Sequence, residues 1–254
     1  MSLLHAVMVF VAGIVAGTIN TVVGSGTLFT FPVLLSIGYA PVVANVSNTV
    51  GLVPGSVSGA IGYRRELVGQ RSRLARLAMA SVSGGIAGAV LLLVLPAGAF
   101  KAIVPVFIVI ALVMILAQPR LAVLRGMGTA HPGARRQHAG ALATLGVFAG
   151  GVYGGYFGAA QGILVLAILG LSIDDELQRL NAVKVVLTGL VNLVSGLVFV
   201  FAAHVAWAPA GLIAAGSVLG GVIGARAGRR LPPAGLRVVI VIVGIVAIVR
   251  LLTS

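Results

Sequence analysis

Ser25 and Thr27 stand among Gly24 and Gly26 in the middle of an otherwise apolar run, GIVAGTINTVVGSGTLFTFPVLLSIGYAP, from Gly13 to Pro41. Two hydroxyls flanked by glycine offer O–H donors, and glycine lets a ligand approach the main chain. A helix starting near Thr27 would add free N–H groups and the positive end of its dipole. The chemistry on offer is therefore anion binding. A second apolar run, GVFAGGVYGGYFGAAQGILVLAILG, from Gly146 to Gly170, is broken at Gly158, Ala159 and Ala160, with Gln161 in the place of Thr27. Its amide would supply a donor from the opposite side.

Two further stripes carry polar groups. Asn45, Asn48 and Thr49 share one helical face at i, i+3 and i+4 spacing, and Asn181, Lys184, Thr188 and Asn192 repeat such spacings later in the chain, with Lys184 where Asn48 stood. Asn20, a turn before the first break, joins the candidate binding set. Lys184 lies within an apolar helix, where an ionisable group is costly without a role. It either balances an anionic substrate or snorkels to the helix mouth as an anchor. Gly150, Gly151, Gly154 and Gly155 read equally well as a helix-packing face.

Enzyme chemistry finds no foothold. There is no cysteine, and the histidines His5, His131, His138 and His204 fall near segment ends or in a linker. No nucleophile elbow, phosphate-binding loop or metal-ligand cluster is present, so neither a cofactor nor a metal is expected. Asp174, Asp175 and Glu176 read as carboxylates at a helix start, and Glu66 as a solvated or ion-paired loop residue. No carboxylate sits inside an apolar segment, which argues against an Asp/Glu proton relay.

The elements that must position these groups are membrane helices. Of 254 residues, 59% are hydrophobic and 8% charged, which excludes an ordinary soluble domain and a disordered chain. The 36 glycines suit helices that pack closely in lipid. The net charge of +13 comes from basic residues scattered between apolar segments, without a basic surface or an aromatic platform for nucleic acid. Their role is topological, holding loops in the cytoplasm. The partners expected are a lipid bilayer and a small anion; a homo-oligomer stays open beside a monomer. MSLLHAVMVF lacks the basic n-region and cleavage site of a removable signal peptide.

Apolar segments span Leu3–Val23, Thr27–Gly38, Val42–Ile61, Leu74–Leu95 and Ala102–Ala117, then Ala139–Gly158, Gln161–Leu171, Ala182–Ala203, Ala208–Ala225 and Leu236–Leu252. The second of each set is too short to cross about 30 Å of hydrocarbon, so each should be a half-helix. Interrupted segments at corresponding places in two halves point to a transporter's substrate site. The expected division is a first membrane repeat over 1–117, a basic cytoplasmic linker over 118–138 and a second repeat over 139–254.

Gly17 and Gly24 match Gly151 and Gly158, and Asn45 matches Asn181 once two residues are inserted. Basic residues test the orientation. Arg64, Arg65, Arg71, Arg73 and Arg76 crowd the loop after the third segment, whereas in the second half the equivalent loop, Ala203 to Trp207, is neutral and the next carries Arg226, Arg229, Arg230 and Arg237. If basic loops are cytoplasmic, the halves are inverted, each a broken-helix hairpin plus three full transmembrane helices. Both termini would face outward, with Trp207 an interfacial anchor. Counting each broken pair as one crossing gives eight spans and parallel halves, but places the loop with Arg226 outside. The fold class is thus an all-α polytopic membrane protein.

GTINTVVGSGTLFTFPVLLSIGYAPVVANVSNTVGLVPGSVSGAIGYRREL and QRLNAVKVVLTGLVNLVSGLVFVFAAHVAWAPAGLIAAGSVLGGVIGARAGRRLP resemble the TauE/SafE sulfite exporter family of prokaryotic membrane transporters. The resemblance covers nearly the whole chain. It implies a multi-pass protein of the prokaryotic inner membrane that moves sulfite, organosulfonates such as sulfoacetate, thiosulfate or another small oxoanion, with export as the direction. Relatives tend to carry an extra glycine at the first break, where this chain has Gly24-Ser25-Gly26.

Overall fold

A computed structural model describes residues 1–96, 98–100, 102–110, 113, 140–173 and 175–227. The linker 118–138 and the last apolar segment, 236–252, fall outside the described residues. Among the described residues the chain is all helical, with α1 over Leu3–Val22, α2 over Thr27–Ser36, α3 over Pro41–Gly62 and α4 over Arg71–Val94. A short α5 covers Gly98–Ile110. Then come α6 over Ala141–Tyr156, α7 over Gln161–Ser172, α8 over Leu177–Ala202 and α9 over Trp207–Ala227.

Four of these, α1, α4, α8 and α9, are long and apolar enough to cross a membrane. The central α3 has the length, 22 residues, but its sequence is diluted by Asn45, Ser47, Asn48, Thr49, Ser56 and Ser58. Most of those side chains are buried against other helices, which is where polar groups must go when the surroundings are lipid. Two of the short helices, α2 with 10 residues and α7 with 12, begin at Thr27 and Gln161, directly after the glycine-bearing breaks.

Small residues decide how the long helices pair. Phe10 O, Ile14 O and Thr18 O of α1 lie against Gly216, Gly220 and Gly224 of α9, so these helices run in the same direction with their backbones nearly touching. Gly51, Gly55 and Gly62 of α3 meet Ile213, Ser217 and Ala225 of α9 in the same sense. In a second group, Phe148 O and Val152 O of α6 face Gly84 and Gly88 of α4, while Gly85 of α4 abuts Val191 of α8. A side chain at most of these glycines would collide with main chain, which is why glycine stands there. Between the groups, α3 and α8 cross antiparallel: Gly59 approaches Val185, Ser56 approaches Gly189, and Val50 approaches Gly196.

Hydrogen bonds repeat across the two groups. Ser81 of α4 donates to Leu187 O of α8 at 3.0 Å, and Ser217 of α9 donates to Gly51 O of α3 at 3.0 Å. Ser81 and Ser217 are separated by 136 residues, as are Gly51 and Leu187, Asn45 and Asn181, and Ser56 and Asn192, the last two of which bond to each other.

One boundary differs from the sequence expectation. Arg71, Arg73 and Arg76 are not loop residues but lie in the first turns of α4, and α8 likewise starts five residues early, at Leu177. A helix leaving the bilayer meets no steric stop, and arginine is a good helix former.

Candidate functional site

The two breaks touch. After α1 the chain turns at Gly24, whose φ of 88° is in the left-handed region, and a side chain there would come inside 3.0 Å of the main chain of Gly162. Gly162 N–H, in the first turn of α7, donates to Gly24 O at 2.9 Å. The second break turns at Gly158, φ 76°, and at Ala160, φ 58°, an alanine in a conformation that costs about 1 kcal/mol or more. Gly26 lets α2 fold back on α1, since a side chain there would strike Ala16 O.

Around this junction several polar atoms are buried without a partner among the described residues. The Ser25 hydroxyl and the Gln161 amide nitrogen are each one residue from the Gly24–Gly162 contact, both residues are almost wholly buried, and neither atom has a hydrogen bond. Gln161 is folded into the notch left by Gly154. Unpaired buried donors of this kind cost about 1–3 kcal/mol each unless water or another partner satisfies them.

Lys184, fully buried on α8, reaches this junction from the other side. Its methylenes run beside Gly162, and its ammonium donates to Thr21 O at 3.1 Å and Asn20 O at 3.3 Å. Those carbonyls belong to the last turn of α1, where helix geometry leaves oxygens unsatisfied and the dipole is negative. An ammonium has three donors, so one N–H remains beyond these two. The lysine does not snorkel. It is held inside by a helix end, and no ion pair to it occurs among the described residues.

The asparagines act as struts between the halves. Asn45 donates to Tyr156 O, at the end of α6, at 3.0 Å, and Asn181 donates to Thr21 O, at the end of α1, at 3.5 Å. Each therefore ties α3 or α8 to the broken helix of the other half, and each leaves its own oxygen unpartnered. Asn48 donates to Thr27 Oγ1 at 3.1 Å and accepts from the Thr30 hydroxyl, fixing the start of α2. Thr49 bonds back to Asn45 O at 2.9 Å within its own helix. Asn192 stands apart: it contacts Ser56, about 12 Å along α8 from Lys184 by helical rise.

The structure thus brings together Asn20, Gly24, Ser25, Gly26, Thr27, Asn48, Gln161, Asn181 and Lys184, with Asn45 and Gly158 beside the second break. Gly162 and Thr30 are the residues that sequence reasoning missed. Gly162 sits inside an apolar run, and only its approach to Gly24 shows why it carries no side chain. Aromatic rings close the flank of the second break: Phe31 of α2 meets Phe157 edge-to-face at 5.2 Å, and Phe100 of α5 packs on both at 6.3 and 5.9 Å. Beyond the buried part, Asp175 in the connection to α8 pairs with Arg73 at 2.6 Å and Arg179 at 2.9 Å. Burial alone would raise its carboxyl pKa, but the Arg73 hydrogen bond, the Glu176 amide and the two guanidinium charges outweigh burial and hold it below the usual value.

Among the described residues, an all-helical arrangement with broken apolar helices and buried donors at their junction has the form of a membrane transporter, and the relatives agree. The chain is 29% identical to the probable membrane transporter protein YfcA of Escherichia coli strain K12, over 98% of this chain and 90% of that one. It is 29% identical to the probable membrane transporter protein ORF9 of a Sinorhizobium species, over 96% and 91%. With the probable membrane transporter protein of Haemophilus influenzae strain Rd the identity is 26%, over 86% and 83%. No solved structure matches. These names indicate a transporter rather than an enzyme, and the bacterial relatives together with this chain's four long apolar helices fit a multi-pass bacterial membrane protein. The model of the sulfite exporter TauE/SafE family matches residues 9–251, so the chain that brings its two breaks together at Gly24 and Gly162 belongs to that family of membrane transporters.

Proposed function

We propose that the protein is a secondary carrier that exports small sulfur-containing oxoanions, sulfite or an organosulfonate such as sulfoacetate, by alternating access around the two breaks. The observation that carries this reading is the junction itself: a buried Ser25 hydroxyl and a buried Gln161 amide nitrogen without partners among the described residues, next to a buried ammonium with a donor to spare. A tetrahedral or pyramidal oxoanion presents several oxygens to such donors, and its charge offsets that of Lys184.

The arrangement of donors differs from a simple pair of helix N-termini. Gly162 N–H is taken by Gly24 O, and Leu28 and Phe29 N–H bond Ser25 O and Gly26 O. The anion is therefore held mainly by side chains, with the dipole ends of α2 and α7 contributing field rather than every hydrogen bond.

Alternating access needs two bodies that rock, and the chain supplies two groups: α1, α3 and α9 in one direction, α4, α6 and α8 in the other. Corresponding helices of the two halves, over 1–117 and 139–254, then run oppositely, which supports the inverted repeat, with the arginine-rich ends cytoplasmic. A single cysteine placed at His204 should react with an impermeant outside reagent, while one at Arg64 should react only after permeabilisation. The opposite pattern overturns the orientation.

Transport is tested with radiolabelled sulfite and sulfoacetate in vesicles of known sidedness. A carrier saturates and supports counterflow, with net movement out of the cytoplasmic side. Unsaturable conductance would instead make the protein a passive anion channel. Saturable uptake of thiosulfate or another anion toward the cytoplasm would make it an importer.

A further inference from the structure

Away from the breaks, at the arginine-rich end of the seam between α3 and α9, lies a cavity of about 330 Å³. Its walls are Ser58, Ile61, Val222 and Ala225, and Arg64, Arg65 and Arg226 stand at its mouth. The Ser58 hydroxyl is spent on Gly55 O and Val218 O, so the interior offers hydrocarbon and little else.

Two features identify what fits. The three arginines are exposed, and none has a carboxylate partner among the described residues. Second, the apolar walls continue onto a surface of exposed Val57, Ile61, Val218 and Ile223, the kind of surface that faces acyl chains in a bilayer. Arg64 and Arg65 directly follow the last turn of α3, and Arg226 lies in the last turn of α9, which is headgroup depth for helices of this length. A charged mouth at headgroup depth above an apolar groove between helices matches one molecule, with a phosphate at the top and a hydrocarbon chain below.

We infer that this groove binds one anionic phospholipid, its phosphate on Arg64, Arg65 and Arg226 and an acyl chain between α3 and α9. The lipid bridges the α3–α9 seam, where Gly62 and Ala225 bring the backbones together, and stiffens one of the two helix groups. The site stands independently of which anion the breaks carry.

The test is thermal stabilisation of the delipidated full-length protein in detergent, titrated with phosphatidylglycerol, phosphatidylcholine or inorganic phosphate. Phosphatidylglycerol should stabilise at low mole ratio. Each surface charge is worth about fivefold in affinity, so Arg226→Gln should raise the half-saturating lipid about fivefold and the triple Arg64→Gln, Arg65→Gln, Arg226→Gln variant roughly a hundredfold. Val222→Trp fills the groove with all charges kept and should abolish the response. Arg71→Gln, at the same end but outside the groove, should leave it unchanged. Equal stabilisation by phosphatidylcholine, reproduction of the effect by inorganic phosphate at matched concentration, an unaltered response in Val222→Trp, or a loss in Arg71→Gln as large as in Arg226→Gln would each overturn the proposal. If the triple variant does not fold, Arg226→Gln and Val222→Trp decide it alone.

Discussion

Asn48 and Lys184 occupy equivalent positions on α3 and α8, 136 residues apart like Ser56 and Asn192, yet they do opposite things. Asn48 is neutral and holds the start of a half-helix through Thr27 and Thr30. Lys184 is a cation and holds the end of a broken long helix through Asn20 O and Thr21 O. Around them the halves match closely: Asn45 and Asn181 perform the same cross-bracing, and Ser81 and Ser217 make the same bond. Equivalent residues build the frame, and among the described residues the buried position at which the halves differ in charge is Lys184, where the proposed anion gains a reason to bind.

The breaks themselves are unequal, and this gives the largest expected effect. Gly24→Ala drives a side chain into the Gly162 backbone at a φ that alanine resists, and should cost about 3 kcal/mol or more or prevent folding. Gly158→Ala meets nothing nearer than Gly154 O at 3.0 Å, so the left-handed conformation dominates its cost, about 1–2 kcal/mol. Thermal midpoints in detergent compare them directly. Equal losses would mean that the Gly24–Gly162 contact is not what locks the junction.

Lys184 comes next. Lys184→Asn makes the halves alike and should leave a folded protein whose stabilisation by sulfite is about tenfold weaker or more, the worth of a charged hydrogen bond. Lys184→Ala should lose the same response and also leave two α1 carbonyls unsatisfied. Arg71→Ala, at the exposed start of α4, should change neither. An unchanged sulfite response in Lys184→Asn removes the lysine from the site.

How far the sequence reveals this depends on whether a cause is local. The breaks are legible because glycine beside serine inside an apolar run has no lipid-compatible alternative, and α2 and α7 begin at the expected Thr27 and Gln161. Lys184 is legible as an anomaly, but its partners are main-chain carbonyls on another helix, and carbonyls look the same at every residue. Gly162 is invisible for the same reason, since its requirement comes from Gly24 in the other half. The start of α4, at Arg71, lies ahead of its apolar segment because arginine marks the membrane edge and not the end of a helix.

A smaller effect sharpens the matching side of the comparison. Asn45→Ala and Asn181→Ala each remove one amide bond to the opposite broken helix and should destabilise by about 1 kcal/mol, equally within roughly half that. A loss confined to one of them would show that the bracing is one-sided.

The smallest effect lies in the connections between half-helix and full helix. The first half joins α2 to α3 through Ile37, Gly38, Tyr39 and Ala40, without charge, whereas the second clamps its connection with Asp175 between Arg73 and Arg179. The Asp175 carboxyl is held below its usual pKa in the folded state, so its contribution is complete above about pH 4, the unfolded value, and disappears as pH falls through the lower folded value. Partly exposed pairs of this kind contribute on the order of 1 kcal/mol or less. Asp175→Asn should therefore lower the thermal midpoint slightly at neutral pH and converge with the unaltered protein in acid. A difference that persists at the lowest pH would assign Asp175 a role in backbone geometry through its bond from Glu176 N–H, at 2.9 Å, instead of in the charge clamp.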